Sequence, residues 1–331
     1  MRSNGTQPDD LPFLFHASAL GLAEPPLEIM TPRTLSLKFR TVALATMIGA
    51  AVLTLTGAPS VSTSRPDQIS ELGLWLSAAD LAAGHKDGES VTKWPDRSGN
   101  GYDAIFEPRI PQGGRAVGIH HPPTFKVGAL AGQPAVSFDA NDRQNLILNR
   151  PGHFLGQHVS AFSAAFLVRP TLVYGPPPAP GVAWMKVRYL FLTHLSAYNT
   201  RVSVQIIEDT GEVRVLSRPQ PTASLDRASS LGDGHSLVLK GETWHRLIVS
   251  VDYKAKETRM YLDGTLLVHP LPPTSPGMFE NIPSPVTGIG STTLGDWLTC
   301  QIAEMMCYEK ALTSDEARAL DAYFCAKYSL K

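Results

Sequence analysis

At 331 residues, 43% of them hydrophobic, the chain can bury one large core or two smaller ones, and its net charge of −1 gives no electrostatic ground for binding nucleic acid. Only 18% of the residues are charged, while glycine and proline each number 27, a turn-rich balance that suits an all-β chain.

Residues 1–29 include Asp9, Asp10, Glu24 and Glu28 and show no sustained hydrophobic period. They read as a disordered extension, or as sequence upstream of a true start at Met30. From Met30 the order changes: Arg33, Lys38 and Arg40 come first, then the uncharged run Val42 to Leu55, then Thr56-Gly57-Ala58. Basic, apolar and small residues in that order are the layout of a secretory signal peptide. The run is shorter than the roughly 20 residues of a membrane span. Residues 30–58 are therefore expected to be a signal peptide or N-terminal anchor, with a buried helix as the third reading, and the protein to be secreted or held in the cell envelope. Residues 59–70 form a polar linker and 71–331 a single domain.

That domain opens on Leu74-Trp75-Leu76 and, after a polar loop, returns at Val91 to Trp94 before Asp96-Arg97-Ser98-Gly99-Asn100-Gly101. Gly99 and Gly101 around Asn100 allow positive φ, and Asp96 and Ser98 can bond back to nearby amides, so this reads as a fixed loop between buried strands. Phe106 to Lys126 reads as a long loop. Pro134 to Asp139 and Asn145 to Asn149 read as short strands either side of an Ala140–Arg143 turn. Phe162 to Leu172 is a near-continuous apolar strand that must be covered on both faces. The proline cluster 175–181 breaks the chain, and strand character resumes over Tyr189 to Leu195.

Val202 to Leu216 divides at Asp209-Thr210-Gly211-Glu212 into two strands of one hairpin. Trp244 to Tyr253 and Thr258 to Val268 form a second meander, with Asp263-Gly264 as its tight turn. The proline-rich segment 270–285 reads as surface loop. A last strand, Leu298 to Tyr308, leads to a helix whose start is marked by Thr313 with Glu316 three residues on, a capping box, and whose apolar face is Ala317, Leu320, Phe324 and Tyr328. Cys300 and Cys307 share that strand at an odd separation, which puts them on opposite faces and rules out a bridge between them. Cys307 could meet Cys325 if the helix packs back on the strand; otherwise all three are small buried hydrophobes.

Leu74-Trp75-Leu76 with the Asp-x-Ser-Gly-Asn-Gly turn, Pro134-Ala135-Val136-x-Phe138-Asp139, and Ile302-Ala303-Glu304 through Tyr308, Ala311-Leu312-Thr313 and Glu316 together resemble bacterial LamG-type domains of the concanavalin A-like lectin/glucanase superfamily. The resemblance spans the chain from 71 to 331 and implies an all-β, two-sheet antiparallel jelly-roll sandwich with a short C-terminal helix. Glycosidases of that superfamily use paired carboxylates flanking a cleft. No Glu-x-Asp-x-x-Glu occurs here. Glu208, Asp209 and Glu212 sit at a hairpin tip and read as solvated turn residues; Glu304 and Glu309, five apart, fall on opposite faces of a strand. Gly-x-Ser-x-Gly and His-Glu-x-x-His are also absent. His120-His121 reads as surface loop, and Trp244-His245 as packing, in line with the family's Trp-His pair.

The expected function is thus a secreted, non-catalytic recognition module for carbohydrate. The alternatives are a structural or protein-interaction domain of the envelope whose partner is an extracellular protein, and an atypical glycan-active enzyme. Trp184, Tyr198 and Trp297 stand at loop edges and are the expected sugar-stacking residues. Asp139, Asn141, Asp142 and Asn145 offer oxygen ligands of the kind calcium takes, and concanavalin A-like lectins often hold calcium on sandwich loops, so calcium is the candidate cofactor here, while the favoured reading of Asn141-Asp142 is a plain turn.

Overall fold

The structure, a computed structural model, describes residues 65–108, 111–112, 115–116, 121–148, 160–173, 187–194, 200–217, 226–232, 235–270, 292–294 and 298–331. The expected signal segment 30–58 and the extension before it lie outside the described residues. Among the described residues no helix is long and apolar enough to cross a membrane.

In chain order the strands are β1 (Leu72–Ser77), β2 (Lys93–Trp94), β3 (Ala104–Ile105), β4 (Pro111–Gln112), β5 (Arg115–Ala116), β6 (Thr124–Gly128), β7 (Gly132–Phe138), β8 (Leu146–Leu148), β9 (Ala161–Pro170) and β10 (Val187–His194). They continue as β11 (Thr200–Ile207), β12 (Val213–Ser217), β13 (Asp226–Ser229), β14 (Leu231–Gly232), β15 (His235–Ser236), β16 (His245–Asp252), β17 (Glu257–Leu262), β18 (Thr265–Pro270), β19 (Thr292–Leu294) and β20 (Cys300–Tyr308), and the helix α1 (Ser314–Tyr328) closes the chain. One eight-stranded antiparallel sheet runs β18-β17-β16-β9-β20-β7-β6 with β1 also on β20; the second runs β13-β12-β11-β10-β19-β8-β3-β2. β4–β5 and β14–β15 are two-stranded ribbons.

The two sheets share one core. Alternating residues of the first, Phe162, Phe166, Leu247 and Val249, meet Phe191, Val204 and Val215 of the second. Phe162 and Phe191 stack with ring centroids 5.8 Å apart. A second cluster lies on the outer face of the first sheet, where Ala317, Leu320, Phe324 and Tyr328 of α1 cover Ala165, Leu167, Ala303 and Met306. The alanines beneath the helix leave room for it to approach closely. β9 and β20 are covered on both faces as a consequence, which is why their sequences are apolar throughout. The capping box forms: Thr313 N donates to Glu316 Oε2 at 2.9 Å and Glu316 N to Thr313 Oγ1 at 3.2 Å.

Along β20 the regular alternation is interrupted. The strand pairs with β7 through Cys300, Gln301 and Ile302, then with β1 from Glu304 to Tyr308, and its register on β9 shifts between Ile302 and Glu304. Ala303 and Glu304 therefore both face α1, and every later residue changes side. This corrects the expectation for the cysteines: Cys300 and Cys307 lie on the same face, both in the core between the sheets. All three thiols are free, and Cys325 is partly exposed rather than buried. Burial pushes the Cys300 and Cys307 thiols well up from the ordinary value.

The bulge turns a carboxylate into a closed polar box. Glu304 is fully buried and accepts from Trp75 Nε1 (2.6 Å), Tyr323 Oη (2.9 Å), Tyr328 Oη (2.8 Å) and Lys327 Nζ, which lies 2.9 Å from each of its oxygens. Burial, then the neighbouring Glu304 carboxylate, pushes both phenols above their usual range.

Asp263 and Gly264 form the expected two-residue turn, at φ of 50° and 84°, between Leu262 and Thr265. Asp263 also reaches across to β16, accepting from Arg246 N at 2.9 Å and from His245 Nδ1 at 2.7 Å. The long loop expected over 106–126 is corrected at its end, where Thr124 begins β6.

Removing one partner of a satisfied buried ion pair strands the other, at about 3–5 kcal/mol. Glu304→Ala is expected to lower stability by about that amount, and Glu304→Gln, which keeps an acceptor for Trp75, by less; urea unfolding of the two variants checks the order. Asp263→Ala is expected to cost about 1–3 kcal/mol through the positive φ and the two lost bonds, read by the same transition.

Candidate functional site

The loop that follows β2 is built around one carboxylate. Asp96 Oδ1 accepts from Trp75 N (3.0 Å) and Ser98 N (2.9 Å), while Oδ2 accepts from Ser98 Oγ (2.7 Å) and Tyr102 N (3.0 Å). Four bonds to one side chain, from Trp75, Tyr102 and twice from Ser98, leave the loop little freedom. Gly99 and Gly101 take φ of 89° and 75°, the conformation that a side chain resists. Asn100, placed between them, donates its amide to the carbonyls of Leu72 (2.9 Å) and Gly73 (3.0 Å) and so ties the loop to β1. Arg97 lies over the Trp75 ring, 4.6 Å from its centroid.

Between this loop and the ends of β1 and β20 is a cleft of about 420 Å³, lined by Glu71, Gly73, Asn100, Tyr102 and Glu309 among others. Its size falls within the range of small-molecule sites. Glu309 N donates to the Glu71 carbonyl at 3.0 Å, which holds the two acidic residues beside each other although 238 positions separate them (309 − 71). Burial raises the Glu309 carboxyl above the usual carboxylate range, and the adjacent Glu71 carboxylate adds to the shift. The ring of Tyr102 packs partly against the core, so one wall of the cleft is aromatic and stiff. Sequence spacing gave no hint of the Glu71–Glu309 pair; only Asn100 and the glycines were readable as special.

Trp184, Tyr198 and Trp297 lie outside the described residues. Asp139, Asn141 and Asp142 share one turn, in which Asp139 Oδ1 accepts from Asn141 N at 2.8 Å and Arg143 N donates to the Ala140 carbonyl at 3.2 Å. Asn141 and Asp142 are exposed, whereas Asn145 is fully buried at the start of β8.

The reading of Glu208 and Glu212 as solvated turn residues is corrected. Glu212 is buried and grips Arg214 through two bonds of 2.7 Å, with Ser229 Oγ also donating to it. Glu208 pairs with Arg188 at 2.8 Å. Arg214 stands opposite Gln205 on one side and Ser229 on the other, and Gln205 opposite Tyr189. A polar row thus crosses the outer face of the second sheet, and the i, i+2 spacing of Glu212 and Arg214 on a strand was the signal that could have found it. His245 is buried against Asp263, in agreement with a packing role.

No family model matches this sequence, and no curated protein matches it. Among solved structures it is similar to the binding domain of botulinum neurotoxin DC in complex with SialylT, at 12% identity over 81% of this chain and 53% of that one, TM-score 0.47. A structure of botulinum neurotoxin type C, whose cell entry is described as dependent on two ganglioside molecules, matches at 12% identity over 79% of this chain and 51% of that one, TM-score 0.48. A Trypanosoma rangeli sialidase in complex with 2,3-difluorosialic acid matches at 13% identity over 76% of this chain and 33% of that one, TM-score 0.40. The chain spans about half the length of the neurotoxin binding domains it matches. These likenesses are of β-rich architecture alone.

The raised Glu309 carboxyl sets a pH dependence of definite sign. A carboxyl that binds its proton more tightly folded than unfolded favours the folded state fully below the usual carboxylate range, and that contribution is lost as pH rises through the raised value. Glu309→Gln escapes the loss. Its melting temperature is expected to match the parent's in acid and to exceed it at neutral pH, with the gap opening just above the usual carboxylate range; thermal melts across pH check this.

Proposed function

We propose that this chain is an exported, non-catalytic recognition module that takes a carbohydrate in the cleft beside the Asp96–Gly101 loop. The observation that carries the reading is the lining of that cleft. Carboxylates and an amide, the groups that bond sugar hydroxyls, stand beside the Tyr102 ring, which offers the apolar face of a pyranose a surface to pack on. Asn100 and Tyr102 belong to the loop ordered by Asp96, and Glu71 and Glu309 are joined by the bond from Glu309 N to the Glu71 carbonyl, so little entropy is lost in arranging them for a ligand. The sequence resemblance to LamG-type domains supports the same reading, as does the signal-like order of residues 30–58 for export.

The Asp139–Asn145 turn is where a calcium ion would join such a module, with Asp139 and Asp142 as its carboxylates. Melting that rises with calcium and falls with chelator is the expected outcome, and equal curves would leave the segment an ordinary turn.

One observation favours a second reading. A carboxyl with raised proton affinity next to another carboxylate is the arrangement of a general acid with its partner. Release of reducing sugar that disappears in Glu309→Gln would replace the binding reading with glycoside hydrolysis.

Glycan-array binding of the full chain tests the primary proposal. Tyr102→Ala is expected to weaken binding to the selected glycan about tenfold or more, equivalent to about 1.4 kcal/mol. Binding to no glycan, alongside capture of an envelope protein, would favour the structural alternative.

A further inference from the structure

Among the described residues five strands end the two large sheets, β18, β6, β1, β2 and β13, and β1 is closed by the Asp96 loop, whose Arg97 N donates to the Trp75 carbonyl at 2.7 Å. Along β6 the segment Asp87–Val91 covers the edge: Gly88 N donates to the Phe125 carbonyl (2.8 Å), Phe125 N to that of Glu89 (2.8 Å), and Val127 N to Asp87 Oδ1 (3.0 Å). β2 carries Lys93, a charge of the kind that keeps another strand away. β18, Thr-Leu-Leu-Val-His-Pro, bears no charged residue, and no bond from the described residues covers its outer edge. Its outward side chains Leu266 and Val268 are 41% and 43% exposed.

We propose that β18 is a self-association edge, on which a second copy of this chain pairs antiparallel about a two-fold axis at Leu267. The register follows from the hairpin. Leu262 and Thr265 close a two-residue turn and exchange hydrogen bonds, so Thr265, Leu267 and His269 aim their backbone groups at β17. Leu266 and Val268 then aim theirs at the open edge. Pro270, which has no N–H to offer, is the next outward position.

An axis at Leu267 sets Leu266 of each copy opposite Val268 of the other, and both pairs can exchange two backbone bonds. On the outer face the same register brings Leu266 against Val268 twice, joining four exposed apolar side chains into one patch. The edge is thus complementary to itself. Head-to-tail growth through β6 is blocked by Asp87–Val91, so the pairing closes as a dimer rather than running on as a fibre.

Sedimentation equilibrium of the full chain over a micromolar concentration series is expected to show a reversible rise toward twice the 35.8 kDa chain mass. Val268→Lys and Leu266→Lys are each expected to hold the protein at monomer mass, with circular dichroism unchanged and melting equal to the parent's at concentrations where the parent is itself monomeric. Monomer mass throughout for the parent, or a dimer that both lysine variants leave intact, would overturn the proposal. Register is read separately in a Cys325→Ser background: Leu266→Cys and Val268→Cys proteins, mixed under mild oxidation, are expected to cross-link to each other several-fold more than to themselves. Equal or self-preferring cross-linking would sink the two-fold register even if a lysine variant failed to fold.

Discussion

The buried carboxylate of Glu304 is the constraint around which the first sheet is arranged. A carboxylate with no solvent access is tolerable only if its oxygens are met by donors, and here indole, ammonium and two phenols meet them. Had β20 kept strict alternation from Ile302, which faces the other sheet, Glu304 would point into the same apolar core. The bulge after Ile302 prevents this, and it falls where β20 exchanges β7 for β1 as its neighbour. The break in pairing, the change of face and the placement of the charge are one event. Three of the four donors lie at Tyr323, Lys327 and Tyr328, so the same group fixes which face of α1 turns to the sheet.

Trp75 carries that constraint to the cleft. Its indole N–H ends on Glu304, its backbone N–H ends on Asp96, and its carbonyl receives Arg97 N at 2.7 Å. One residue is thus held from the helix side and from the loop side together. Since Asp96 also orders Ser98 and Tyr102, the cleft's aromatic wall and the helix docking share a mechanical link through β1. The cleft owes its shape to this link more than to the acidic residues that line it.

The features legible in the sequence were those set by neighbours in the chain. Asp263-Gly264, the Thr313–Glu316 box and the Asp96–Gly101 loop each depend on side chains that bond within a few residues, so composition and spacing reveal them. The strands were legible for a related reason, since alternation reports one buried face and the unbroken apolar runs of β9 and β20 report two, while their division into two sheets was what the family resemblance implied. The β20 bulge was not, because nothing in Ile302-Ala303-Glu304 distinguishes a regular strand from one that changes partner; the error in the cysteine faces follows from that alone. Glu71 and Glu309 come together only through the β1–β20 pairing, a contact between the two ends of the domain. β6 was hidden in a proline- and histidine-rich stretch whose composition is that of a loop.

Layering explains why the proposed binding site falls at the margin of this sandwich. The first sheet is covered by the second on one side and by α1 on the other, which removes its central strands from any ligand. The outer face of the second sheet carries its polar row already engaged, with Arg214 held by Glu212 and nearly inaccessible. Among the described residues, what is left uncovered on the first sheet lies at its rim: the ends of β1 and β20, where the Asp96 loop leaves a cleft, and the outer edge of β18. A ligand taken at the first and a partner taken at the second would not compete, because the order β18-β17-β16-β9-β20 sets three strands between them. Self-pairing at β18 would then present two clefts from one continuous sheet, and a cleft of modest affinity gains most from such pairing, since a second site on a multivalent surface binds at the high local concentration set by the first.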